Sequence, residues 1–222
     1  MENKELSSAV LFRDNHLIAF NKPAGLATQP SWSTKENLED SARQWLKKEM
    51  SKPGNVFVHA VHRIDLAASG IALFAKTGKS LSRMNELMRK REIKRVYRVI
   101  VSPPPPAAEG RLKDYMRHSS MKAVGAGKNN PAAKEAVLDY RRITSSGNIA
   151  ELEVEIVTGR YHQIRFQLSR LGSPVAGDIK YGSLVNAGKN RIYLHHYKMG
   201  FIHPVTKNPV SITAPVPSYW SS

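Results

Sequence analysis

The sequence predicts an α+β chain built on a large mixed, mainly antiparallel sheet with flanking helices and a central cleft. Strand-like alternation outnumbers helical periodicity, and most neighbouring segments are joined by short Gly-, Pro- or Asn-bearing turns rather than by crossover helices. The 222 residues, 41% hydrophobic and 23% charged, are enough to bury a core without staples. Neither an internal repeat nor a linker interrupts them, so a single domain over residues 1–222 is expected.

The elements follow in order. Val10 and Phe12, then Leu17, Ile18 and Phe20, flank the turn-forming Asp14-Asn15 and predict a strand pair. Asn21-Lys22-Pro23-Ala24-Gly25 is a turn. Ser33 with Glu36 reads as a capping box, opening a helix that carries Leu38, Ala42, Trp45, Leu46 and Met50. Residues 56–61 read as a strand, and Ile71 to Ala75 as a buried one. Residues 78–92 are helical by the stripe of Leu81, Met84, Leu87 and Met88. Val96 to Val101 is a strand stopped by Pro103. The basic, Gly- and Asn-rich stretch 111–134 lacks periodicity and predicts a mobile loop or short hairpin. Residues 136–143 and 149–157 are strands, the second setting Leu152, Val154 and Ile156 against Glu151, Glu153 and Glu155. A helix over 161–171 ends at Gly172, and strands over 192–202 and 210–213 close the chain.

Composition narrows the function. Thirty-four Lys and Arg against eighteen Asp and Glu give a net charge of +16, which favours a polyanionic partner, nucleic acid before a membrane surface. With no cysteine, disulfides and thiolate metal sites are excluded. No histidine pair has metal-ligand spacing, no Gly-rich phosphate loop is present, and the acids form no cluster, so no metal is expected. No apolar run approaches the ~18 residues of a membrane span, and the N-terminus does not read as a secretory signal. A cytoplasmic monomer is expected.

Three places carry candidate chemistry. Asp65 ends VHAVHRID and precedes a turn of small residues, where a carboxylate can be rigid yet face a cleft; a turn cap is the plainer reading. In TGRYHQIRFQL, Arg160 precedes the predicted helix, and His162, Gln163 and Arg165 lie in its first turns, with His162 and Arg165 on one face. Arg165 sits among apolar neighbours and needs a carboxylate partner, as catalytic support, a structural ion pair or a phosphate contact. Tyr97, flanked by Lys94, Arg95 and Arg98, can stack on a base or be an ordinary strand tyrosine.

At these segments the chain resembles the RluA family of RNA pseudouridine synthases. The resemblance runs from about residue 10 to 217 through NKPAGL (21–26), HRIDLAASGIALFAKT (62–77), KRVYRVIV (94–101), TGRYHQIRFQLSRLGSPVAGDIKYG (158–182) and LHHYKMGFIHPVTKNPVSITAPVP (194–217). It implies an isomerase that needs no cofactor, acting on ribosomal or transfer RNA, with the cleft binding RNA. Asp65 would be the catalytic carboxylate, Tyr97 would pack on the target base, and Arg165 would pair with Asp65 and keep it ionised. Arg63 would displace the nucleotide from its stack, with His62, Lys94, Arg160, His162 and Gln163 contacting RNA. The S4-like domain of some relatives is not expected. Ala68, Tyr161 and Gln167 depart from the family's usual Thr, Thr and His, which touches a turn hydrogen bond and substrate contacts. The rival readings are a non-catalytic RNA-binding paralogue, which the presence of Asp65, Tyr97 and Arg165 opposes, and a nuclease, which would want clustered acids for metal.

Overall fold

A computed structural model describes residues 3–30, 34, 36–51 and 53–220. In chain order these form α1 (Asn3–Ser8), β1 (Val10–Arg13), β2 (Leu17–Lys22), α2 (Leu38–Glu49), β3 (His59–Ala60), β4 (Ser69–Ala75), α3 (Gly78–Lys90), β5 (Lys94–Val101), β6 (Glu109–Ser119), β7 (Lys122–Gly125), β8 (Lys134–Ser146), β9 (Ile149–Ile156), α4 (Gln163–Arg170), β10 (Leu194–Ile202) and β11 (Pro209–Thr213). The fold is α+β, its sheet mainly antiparallel. Its contacts gather into two compact units, residues 1–93 with 196–222, and residues 94–195. No helix among the described residues is long and apolar enough to cross a membrane.

In the first unit the strand order is β1-β2-β4-β10, with β11 beside β10 and β3 beside β4. β2 runs antiparallel to β4 from Leu17 opposite Ala75 to Lys22 opposite Gly70. Both strands are buried on both faces, which is why they read as continuous apolar runs. Ile18, Phe20, Ala72 and Phe74 pack under Trp45 and Leu46 of α2. Leu17, Ala19, Ile71 and Leu73 face the opposite way, toward Met84, Met199 and Ile212.

In the second unit the order is β5-β9-β8-β6-β7, all antiparallel. Glu151, Glu153 and Glu155 alternate with buried Leu152, Val154 and Ile156 along β9, as the sequence requires.

Several boundaries differ from expectation. Ser33 lies outside the described residues; α2 begins later, at Leu38, and its cap is Asn37, whose side chain accepts from the Asp40 N–H. The strand expected over 56–61 shrinks to His59–Ala60, because only those residues pair with β4, while Val56 and Val58 are buried as side chains without a ladder. The basic stretch 111–134 is no mere loop. β6 pairs with β8 from Glu109 to Met116 and with β7 from Met116 to Ser119, giving an extended hairpin. The last long helix starts at Gln163 rather than 161, because His162 is in the left-handed region, φ 52°, and caps it.

Gly70 has φ +109°, and a Cβ there would collide with the main chain of His196. Gly70→Ala should therefore lower unfolding free energy by about 2 kcal/mol or more, combining left-handed strain with backbone displacement. Urea denaturation checks this; an unchanged midpoint would contradict the close approach.

Candidate active site

In the first unit Asp65 stands on a loop that is braced before it is exposed. Lys22, at the end of β2, is 0% exposed, and its ammonium donates to the carbonyls of Pro23 (2.9 Å), Leu26 (2.7 Å) and Ala68 (2.7 Å), and more weakly to that of Leu66 (3.4 Å). Two loops, 22–26 and 66–68, are thus tied to one cation. Gly25 N–H donates to Leu66 O at 2.8 Å. Thr28 Oγ1 donates to Ile64 O (3.1 Å) and accepts from Ile64 N–H (3.3 Å). Ala68 N–H closes the turn on the main-chain oxygen of Asp65 at 3.1 Å. Main-chain bonds therefore secure the turn at Ala68.

Burial lowers the Lys22 pKa from 10.5 to about 7, and the charge of Asp65 pulls it back upward. The lysine is a buried positive charge facing the candidate carboxylate. Sequence reading treated it as part of a turn; the signal that could have found it is a lysine continuing the apolar run of LIAFNK. His62 accepts the Leu73 N–H at Nε2 (3.2 Å) and meets His196 edge-on at 5.2 Å, so its ring is tied into the sheet. Arg63 is exposed.

In the second unit Tyr97 is buried on β5 opposite Val154. Lys94 is exposed and ion-paired with Glu155 at 2.9 Å, which raises its pKa. Arg165, on α4, is buried and makes a two-pronged pair with Asp178: Nε to Oδ2 at 2.6 Å and Nη2 to Oδ1 at 2.8 Å. Asp178 is 1% exposed. The expected need for a carboxylate is met here by a residue that sequence reading missed, within SPVAGDIKYG. The guanidinium also lies over the Tyr181 ring, 5.0 Å from its centroid. Tyr181 Oη donates or accepts with His162 Nδ1 at 3.0 Å and accepts from Ala123 N–H at 2.6 Å, fixing α4 against β7.

His162 does not share a helical face with Arg165, since it precedes the helix; its ring stacks on Tyr161 with centroids 3.8 Å apart. Gln163 is buried and its amide is spent internally: Oε1 accepts from Thr158 Oγ1 (2.8 Å) and Arg160 N–H (3.0 Å), and Nε2 donates to Val137 O (3.0 Å). These bonds shape the turn ahead of α4. Arg160 donates through Nε to Glu135 O at 2.8 Å. Gln167 is likewise structural, bound to Asp114 Oδ2 (2.8 Å) and Ala136 O (3.2 Å). Among the described residues no group of His, Asp and Glu is arranged to hold a metal ion.

A sequence model of the family described as RNA pseudouridylate synthase matches residues 16–170. The chain is 32% identical to tRNA pseudouridine synthase C of Haemophilus ducreyi, over 95% of this chain and 92% of that one. It is 31% identical to ribosomal large subunit pseudouridine synthase D of Zymomonas mobilis, over 97% and 71% respectively. The fold matches the human RNA pseudouridylate synthase domain containing 4 with a TM-score of 0.82 at 21% identity, over 99% of this chain and 92% of that one.

Two predictions follow from these buried charges. Arg165→Leu should cost about 3–5 kcal/mol of stability by leaving the buried Asp178 carboxyl without its partner, and adding Asp178→Leu should recover most of it; chemical denaturation of both variants checks this, and equal loss in single and double would contradict it. For Lys22, the folded pKa of about 7 lies below the unfolded 10.5, so between these values the unfolded chain binds more protons. The lysine's contribution is least below pH 7 and grows as pH rises toward 10.5. The stability gap between the wild type and Lys22→Met should widen by a few kcal/mol across that window. A gap independent of pH would show that Lys22 is not so depressed.

Proposed function

Because this chain belongs to the RNA pseudouridylate synthase family, in its RluA branch, we propose that Asp65 is the carboxylate on which its conversion of uridine to pseudouridine depends. The reaction is an isomerisation. The N-glycosidic bond of uridine breaks, the uracil turns, and C5 bonds to C1′ in place of N1, so no atoms are gained or lost and no cofactor is called for. The base must leave its stack to turn, which requires a flipped nucleotide. Asp65 acts either as nucleophile at C1′ or as base toward the 2′ position.

The observation that carries this reading is the clasp around Asp65. A carboxylate whose loop is tied through Lys22, Gly25 and Thr28 is held in place before substrate arrives, and the buried ammonium adds positive potential to its anionic form. Tyr97 packs on the target base. Arg165, fixed in orientation by Asp178, is the cation that supports the Asp65 carboxylate. Arg63 takes the place of the displaced nucleotide, and His62, Lys94, Arg160 and His162 border the RNA path. The substrate is ribosomal or transfer RNA, the two classes for which the relatives are named.

Asp65→Asn should abolish pseudouridine formation at every pH while RNA affinity changes by less than about threefold, because the carboxylate reacts rather than anchors. Activity should survive EDTA. Pseudouridine mapping in RNA from cells with and without the protein, followed by single-turnover assay on the identified transcript, checks both. A folded Asp65→Asn protein with undiminished turnover would sink the assignment.

A further inference from the structure

β5 carries three cations beside Tyr97, and the structure treats them differently. Lys94 and Arg98 lie on the face of the sheet that presents the β9 glutamates, and each is paired: Lys94 with Glu155 at 2.9 Å, Arg98 with Glu151 at 2.8 Å. Arg95 and Tyr97, two residues apart, lie on the other face. That face is apolar, with Leu152, Val154 and Ile156 buried along β9. Arg95 is only 6% exposed. Its Nε is buried without a hydrogen-bond partner, and no carboxylate among the described residues pairs with it. Its pKa is lowered by burial, countered only by the phenol of Tyr97.

The guanidinium is aimed along the TGRY turn. A Cβ at Gly159 would lie 2.8 Å from Arg95 Nη1, so the absence of a side chain there is what lets the cation lie against the main chain. A buried cation without a counter-charge is strongly unfavourable in the free protein. A planar fork of donors, held in a fixed orientation, suits a tetrahedral oxyanion. We propose that Arg95 is a phosphate seat, receiving a backbone phosphodiester of the RNA strand at or beside the target uridine. This rests on the reading of Tyr97 as the residue that packs on the target base. Arg95 then registers the strand through its backbone while Tyr97 takes the base, about 6.6 Å further along β5 at two strand residues of rise. The charge that burial disfavours in the free protein is neutralised only when RNA is bound.

The test uses the full chain with unmodified transcripts of transfer RNA and of large-subunit ribosomal RNA. Arg95→Met should weaken RNA binding about tenfold or more and reduce the slope of log K against log salt by about 0.7, the share of one phosphate in a single strand. Arg95→Lys should keep most of the slope. Gly159→Ala, which displaces the guanidinium without changing charge, should weaken binding in the same direction but less. The melting temperature of free Arg95→Met should not fall, because an uncompensated charge has been removed. An unchanged slope and affinity in Arg95→Met overturns the proposal. So does a loss confined to kcat at saturating RNA, which would place the guanidinium on the uracil, or a lowered melting temperature with normal binding, which would make it structural. If the wild type converts no uridine in any transcript, the active-site reading fails, yet the salt slopes still decide on Arg95.

Discussion

Lys22 can be buried completely only because main-chain carbonyls take over the work of its water shell. Those carbonyls come from the segment that follows β2 and from the segment that follows Asp65, so the solvation of one ammonium fixes two loops together. Neither loop could move without leaving the cation partly unsolvated in an apolar surround, and that penalty is several kcal/mol. The other contacts, Gly25 to Leu66 and Thr28 to Ile64, fall within the same clasp and depend on its spacing. The small residues after Asp65 are explained by this packing: Ala68 and Ser69 are buried, and Gly70 lies against the main chain of His196.

The second unit meets the same problem with different means. Arg165 is matched by a carboxylate with two parallel hydrogen bonds, an arrangement that orients the guanidinium as firmly as it neutralises it. Gln163 and Gln167 spend their amides on the strands beneath, so α4 is tied at successive turns and the residues around Arg165 have little freedom. Lys22 is solvated by dipoles and Arg165 by an anion. Arg95 has neither, which sets it apart as a group whose complement lies outside the chain.

What could be read from sequence was what periodicity records. The glutamate alternation of β9 and the apolar stripe of α3 gave their elements within a residue or two. β6 was hidden because its less exposed positions, Gly110, Leu112, Asp114 and Met116, mix apolar side chains with a glycine and an acid; its register comes from pairing with β8, and Lys113 and Arg111 find Glu135 and Asp139 only across the strands. Residues 56–58 misled in the opposite sense, being apolar for core filling rather than for a ladder. Asp65, Tyr97 and Arg165 were singled out from local context and resemblance. Lys22 and Asp178 were not, because their partners are loops or helices distant in sequence, and a lysine or aspartate beside Pro or Gly reads first as a turn residue.

The distribution of acids also divides the two faces of these strands. The face of the second unit formed by β5, β9 and β8 carries Glu151, Glu153 and Glu155, matched by Arg98, Arg141 and Lys94. Exposed pairs of this kind contribute little stability, about 0–1 kcal/mol each. Their larger consequence is that this face is locally near neutral although the chain as a whole has a charge of +16. Phosphates gain nothing by approaching it and meet a row of carboxylates if the pairs open. The opposite face of the same strands has no acids along β9, and it bears Tyr97 and Arg95. The alternation that builds the sheet therefore also separates a charged, accessible face from an apolar, buried one. Tyr97 and Arg95 lie together on the buried side, where the guanidinium is the one charge that β5 and β9 contribute.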